Sequence, residues 1–156
     1  MPRFRLYSSL TGAKMIIERD GKEEVIDIER PFWEDVLLAK WINERYKIVR
    51  SGLLLRSAKI FLKGELIGRI KEVFGFTTSI SVFSKSDKVF DIVERDYLLK
   101  QEFIVKKGDR VVGVIRPIGV YVPLLSNIGK GFSGEFYGLS PSEEKLLVLS
   151  IIALGV

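Results

Sequence analysis

The segment "EEKLLVLSIIALGV" constrains this chain more than any other. Between Leu146 and Val156 only Ser150 and Gly155 are not plainly apolar. The residues just before it spell a helix start. Ser140 fits the N-cap, Pro141 the first helical position, and Glu143 completes an S-x-x-E capping box. Glu143 and Glu144 also suit the positive end of the helix dipole. From Leu146 onward apolar side chains occur at every angle around the axis, so no face is left for water and the helix must be surrounded. The eleven residues from Leu146 rise roughly 16 Å, well short of the ~30 Å hydrocarbon layer of a bilayer. The segment therefore reads as a core helix and not as a membrane span.

Strands are the natural walls for such a core. "KMIIERDGKEEVIDIERPF" has two apolar-rich arms around Asp20-Gly21, "AKIFLKGELIGRIKEVFG" repeats the form around Lys63-Gly64, and "EFIVKKGDRVVGVIRPIG" repeats it around Lys107-Gly108. Weaker turns fall near Ser51-Gly52 and Ser86-Asp87. The three clear hairpins share a turn glycine, an aliphatic pair and then Ile with Lys or Arg, a repeated design with loose spacing. Ten to twelve short strands with one all-apolar helix imply a mainly β domain over 1–156. Its expected form is a closed or nearly closed antiparallel β-barrel, about 10–12 strands, with the C-terminal helix through its middle; closure also removes exposed edge strands. A second, short helix is expected in "RPFWEDVLLAKWINERY", where Trp33, Leu37 and Trp41 recur four apart.

The chain of 156 residues has no cysteine and no histidine. Disulfides, thiol nucleophiles, ordinary zinc sites and histidine acid–base chemistry are thereby removed. Adjacent carboxylates such as Glu34-Asp35 and Glu143-Glu144 are joined by no nucleophile and no orienting partner. "SNIGKGFSG" departs from a phosphate-binding P-loop at Leu124 and Gly131. No enzyme, no cofactor and no metal site are expected. A single Gln and two Asn beside abundant Lys, Arg and Glu give a thermophile-like composition. "MPRFRLYSSL" lacks a signal-peptide core, so the expected location is cytoplasmic.

The motifs, taken in order, resemble the phospholipid-scramblase family. "IERDGKEEVIDIERPF" is similar to its aspartate-glycine turn followed by an Arg-Pro-aromatic motif. "GELIGRIKEVFG" and "FIVKKGDRVVGVIRPIG" look like its paired hairpins, and "GEFYGLSPSEEKLLVLSIIAL" like its final strand and helix. LURP-one-related proteins and tubby C-terminal domains share the layout. The resemblance implies a twelve-stranded barrel around a buried C-terminal helix. It does not carry over calcium-activated scrambling or lipid anchoring. The stretch matching the calcium loop supplies only Glu135 before the capping carboxylates, and the palmitoylated cysteines are missing.

The charge is uneven. Residues 40–71 hold nine basic and two acidic side chains, against six and eight in residues 1–39 and ten of each in residues 72–156. Strand alternation groups Arg45 with Lys47, Lys59 with Lys63, and Arg69 with Lys71. If the strands are neighbours, the six form one outer patch for phosphate oxygens. Tubby domains are similar in holding phosphoinositide head groups on barrel-surface cations. The resemblance thus implies a non-catalytic, scramblase-like module that meets an anionic phospholipid or a phosphorylated ligand, peripheral to a membrane. Two rivals use the same residues differently. One is a nucleic-acid-binding barrel that adds stacking on Tyr46 and Phe61. The other is a scaffold or oligomer subunit with incidental charge.

Overall fold

Twelve strands and one helix organise the computed structural model, which describes residues 1–8, 12–31, 35–51, 57–73, 79–85, 87–97, 100–118 and 131–156. The strands are β1 (Arg3–Ser8), β2 (Gly12–Arg19), β3 (Lys22–Glu29), β4 (Val36–Trp41), β5 (Glu44–Ser51) and β6 (Ser57–Leu62) in the first half. The second half holds β7 (Glu65–Val73), β8 (Ser79–Ser84), β9 (Asp87–Tyr97), β10 (Lys100–Lys107), β11 (Arg110–Ile118), β12 (Gly131–Phe136) and the helix α1 (Pro141–Gly155). Each strand pairs antiparallel with its neighbours in sequence, and β1 pairs with β12 to close the ring. The chain is thus an up-and-down barrel with every strand paired on both sides, as the hairpin pattern requires.

Alternation along the strands sorts apolar side chains inward and charged ones outward. On β2, Ala13, Met15 and Ile17 are buried while Lys14 and Glu18 are exposed; on β3, Ile26 and Ile28 are buried while Asp27 and Glu29 are exposed. Membrane-spanning barrels carry their apolar band on the outside, the reverse of this arrangement. Among the described residues no helix is long and apolar enough to cross a membrane.

The turns at one end are tight. Asp20 and Gly21 have φ of 48° and 77°, and Lys63 and Gly64 have 52° and 78°. Positive φ at both central positions is the type I′ geometry that matches strand twist, and a glycine takes the second position without strain. The third clear hairpin turns one residue later than its sequence suggests: Lys107 pairs with Arg110, leaving Gly108-Asp109 as the loop. Ser84 pairs with Asp87, with Lys85 in the turn between β8 and β9, while Gly52 and Ser86 lie outside the described residues, although Ser51 still pairs with Ser57.

Helix α1 lies inside the ring. It packs against β1 and β12 on one side and β7 and β8 on the other, and these pairs stand on opposite walls of the barrel. Every residue from Leu146 to Ala153 is buried. The one polar member of that run, Ser150, donates its hydroxyl to the Leu146 carbonyl at 2.7 Å, so its side chain is satisfied within the helix. A Cβ at Gly68 of β7 would overlap Leu146 Cδ1; the absent side chain is what lets the helix approach this wall.

Both helix ends are held. At the start, Ser140 and Glu143 form the reciprocal capping box. Glu143 also pairs with Lys107, Glu144 with Arg19, and Lys145 with Glu44. At the finish, Arg50 donates to the carbonyls of Ala153 and Val156, placing a cation at the negative end of the dipole.

The second helix expected from Trp33, Leu37 and Trp41 is not formed. Residues Val36–Trp41 are strand β4, and Leu37, Ala39 and Trp41 face the core at every second position. A spacing of four satisfies a strand as well as a helix when the residue between is also apolar, and Ala39 is. Trp33 lies outside the described residues. The loop "SNIGKGFSG" is likewise outside them up to Lys130, and its last four residues open β12.

Candidate anion-binding face

Strands β5, β6 and β7 are consecutive neighbours in the wall. Tyr46 and Ile48, Ala58 and Ile60, and Ile70 are buried, so Arg45, Lys47, Lys59, Arg69 and Lys71 point outward and are exposed. Lys63 is exposed as well, but it sits in the turn after β6 and not on a strand face. All six cations expected from the sequence therefore share one side of the molecule.

Register decides how close they come. Lys59 stands directly opposite Arg69, and Ser57 opposite Lys71. On the other flank Arg45 stands opposite Lys40. Like charges facing each other across a ladder are destabilising; Lys40 also has Asp27 opposite it on β3, whereas Lys59 and Arg69 have Val49 and Phe83 as their other cross-strand neighbours. None of Lys40, Arg45, Lys47, Lys59, Lys63, Arg69 and Lys71 makes an ion pair with a described residue. Like-charged partners elsewhere are relieved. Lys107 faces Arg110 but pairs with Glu143, and Arg19 faces Lys22 but pairs with Glu24 and Glu144.

Aromatic and aliphatic groups interleave with the cations. A β-bulge between Ile60 and Phe61 sets Phe61 opposite Leu66, and Phe61 also lies opposite Lys47. The Arg69 guanidinium rests 5.3 Å from the centre of the Phe83 ring, which orients it on the wall. Leu38, Arg45, Lys47, Val49, Phe61 and Lys63 border a shallow depression of about 480 Å³. At the edge of the face Asp91 is already engaged, by the Ser81 hydroxyl at 3.0 Å and by Lys88 at 3.1 Å.

Sequence reasoning placed Tyr46 among exposed stacking aromatics, and the structure corrects this. Tyr46 is 1% exposed: with Arg45 and Lys47 outward, the residue between them must face the core. Its hydroxyl donates to Glu44, beside Lys145 at the mouth of the barrel. Burial, then the Glu44 hydrogen bond, pushes the Tyr46 hydroxyl up, while the Tyr46 and Lys145 hydrogen bonds pull the Glu44 carboxyl down. Lys145 is raised, first by its hydrogen bond with Tyr46. This cluster anchors the helix entry.

Lys40, Phe83 and Leu38 belong to the face and were not singled out from the sequence. Lys40 and Leu38 fell inside the stretch read as a helix, where alternation was not applied. Phe83 becomes a partner only through the β7–β8 register, which sets it opposite Arg69. The face supplies phosphate-binding chemistry: guanidinium forks for two oxygens at once and ammonium groups as point charges. Among the described residues no three carboxylates gather into a metal-binding group. Compared with protein-family models, curated proteins and solved structures, the chain matches none of them.

Proposed function

We propose that this protein is a non-catalytic binding module that recognises phosphate groups, presented by an anionic lipid head group or a phosphorylated ligand, on the wall formed by β5, β6 and β7. The observation that carries the reading is the pair of like-charged cross-strand contacts, Lys59 with Arg69 and Lys40 with Arg45, neither relieved by an ion pair to a described residue. Lys59 and Arg69 have no carboxylate across either neighbouring ladder, so their pairing costs stability in isolation, and a phosphate laid across them removes that cost. Kinship with the scramblase, LURP-one-related and tubby-like domains is part of the proposal. The order of sequence motifs and a twelve-stranded barrel around a C-terminal helix support it. Peripheral contact with a membrane from the cytoplasmic side follows from the same reading.

The test is co-flotation with neutral and anionic vesicles at low and high salt. Binding to anionic vesicles alone is expected, lost at high salt because screening weakens exposed contacts, and lost in Arg69→Ala/Lys71→Ala. No flotation under any condition would remove the lipid form of the reading. Single-stranded nucleic acid is the second reading, favoured by half-buried Phe61 and Phe83 among the cations. Retardation of oligonucleotides without flotation would select it.

A further inference from the structure

The turns at the barrel end where α1 begins differ in what they expose. Four non-glycine residues among those described have positive φ, and each stands in one of these turns: Asp20 at 48°, Ile42 at 57°, Lys63 at 52° and Lys85 at 52°. Aspartate adopts this backbone readily. A β-branched side chain crowds it, and Ile42 is the β-branched member of the set. Packing does not offset the crowding, since Ile42 is 68% exposed. Trp41 pairs with Glu44 and leaves Ile42-Asn43 as the loop between β4 and β5. Neither the backbone nor the surroundings favour an isoleucine at that tip in water.

The neighbouring tips give this turn its setting. Going round the ring, the β4–β5, β6–β7 and β8–β9 turns follow one another and expose Ile42, Lys63 and Lys85. The turns on either side of this sector expose Asp20 and Asp109. Glu65 and Asp87 are exposed too, but at the bases of their turns, paired with Leu62 and Ser84. Glu44, at the base of the Ile42 turn, is engaged by Lys145 and by the Tyr46 hydroxyl. The outermost described side chains over β4–β9 are thus one aliphatic, one amide and two ammonium groups. They adjoin the wall that carries Arg45, Lys47, Lys59 and Arg69. An aliphatic tip beside lysines suits the boundary between lipid head groups and acyl chains, where the apolar side chain leaves water and the lysines keep their charge at the phosphates.

We propose that the β4–β5 turn enters the surface of an anionic bilayer, with Ile42 below the head groups and Lys63 and Lys85 among their phosphates. The inference rests on the phosphate-binding reading and deepens it. It commits the source of the phosphate to a membrane, and it adds an apolar contact for which a soluble phosphorylated ligand has no use.

The chain has no cysteine, so Ile42→Cys accepts a single polarity-sensitive fluorophore, and Asp109→Cys carries the same label on a turn outside the sector. The probe is a vesicle of equal parts phosphatidylcholine and phosphatidylglycerol, with a second preparation brominated on the acyl chains. The label at position 42 should shift to the blue and be quenched by the brominated lipid; the label at position 109 should do neither. Ile42→Asn should weaken vesicle partition about fivefold or more, because the aliphatic side chain no longer leaves water. The same variant should melt about 2 °C or more above the parent, because asparagine tolerates the left-handed backbone. A merely structural isoleucine would not move those two readouts in opposite directions. Ile42→Asn that partitions like the parent, or melts below it, would overturn the inference. An unshifted label at position 42 on vesicles that carry the protein would overturn it and leave the head-group reading standing. Binding of inositol hexakisphosphate without flotation would do the same, restricting that reading to free ligands. Binding of neither would remove both.

Discussion

The wall at β6 and the wall at β12 stand across the barrel from one another and treat their cations in opposite ways. At β12, Arg116 grips Glu135 through two bonds of 3.0 Å and reaches Glu102 at 3.4 Å. The nearby Arg5 meets Glu23 at 4.0 Å. At β6, Lys59 faces Arg69 with no carboxylate partner among the described residues. The two walls share one backbone architecture and the same inward apolar pattern. The difference lies only in outward side chains, which the fold leaves free to vary. A neutralised wall adds a little stability; an un-neutralised one leaves its cations to the solvent.

The largest expected effect abolishes the comparison by removing both walls. Leu149→Asp places an unpaired charge at a fully buried helix position and should cost about 4 kcal/mol or more, enough to eliminate a cooperative melting transition. A variant that melts like the parent would mean that the helix lies outside the barrel.

Acid should make the walls more alike, because only one of them has carboxylates to lose. The Arg116 guanidinium holds Glu135 below the usual carboxylate range. At the helix start, Lys107 first and then the Ser140 backbone hold Glu143 down at about 2. Their folded pKa values lie below the unfolded ones. Their stabilisation is therefore complete above the unfolded value of 4.5 and is lost as pH falls toward 2. The melting temperature should drop through that window, and Glu143→Gln should shrink the drop. A pH-independent profile between those limits would contradict the pairing of Glu143 with Lys107.

Glu135→Ala sharpens the contrast from the neutralised side. It leaves Arg116 only Glu102 and should cost about 1 kcal/mol, discounted for partial exposure, with vesicle binding unchanged. Lys59→Glu works from the other side. It converts a repulsive cross-strand pair into an attractive one and should raise stability by about 0.5 kcal/mol while weakening vesicle binding. A loss of stability there would show that Lys59 and Arg69 are not in opposition.

What could be read from the sequence was what depends on neighbours in the chain. The Ser140–Glu143 capping box, the Asp20-Gly21 and Lys63-Gly64 turns and the need to surround Leu146–Val156 are local patterns with local causes. The outward direction of Lys47, Lys59 and Lys71 followed from alternation alone. What escaped depends on pairing between strands. The bulge at Ile60/Phe61 sets Leu66 beside Phe61, and only register sets Phe83 beneath Arg69. Strand β4 was misread because Leu37 and Trp41 fit either periodicity, and that error hid Lys40. Tyr46 could have been placed correctly, since its two neighbours already occupied the outer face.

The interior is filled by a helix that follows all twelve strands, and the seam that closes the ring joins the first strand to the twelfth. The contacts that α1 makes with β1, β7 and β8 therefore link residues far apart along the chain. Hairpins such as β2–β3 and β6–β7 can form early, since their partners are adjacent, but the sheet they build has an apolar inner surface facing water until α1 docks. Such a topology favours slow, late commitment over stepwise gain. A ribosome releasing this protein would for most of the synthesis time be holding a sticky, half-rolled sheet, and docking of α1 would be the event that ends its exposure to aggregation.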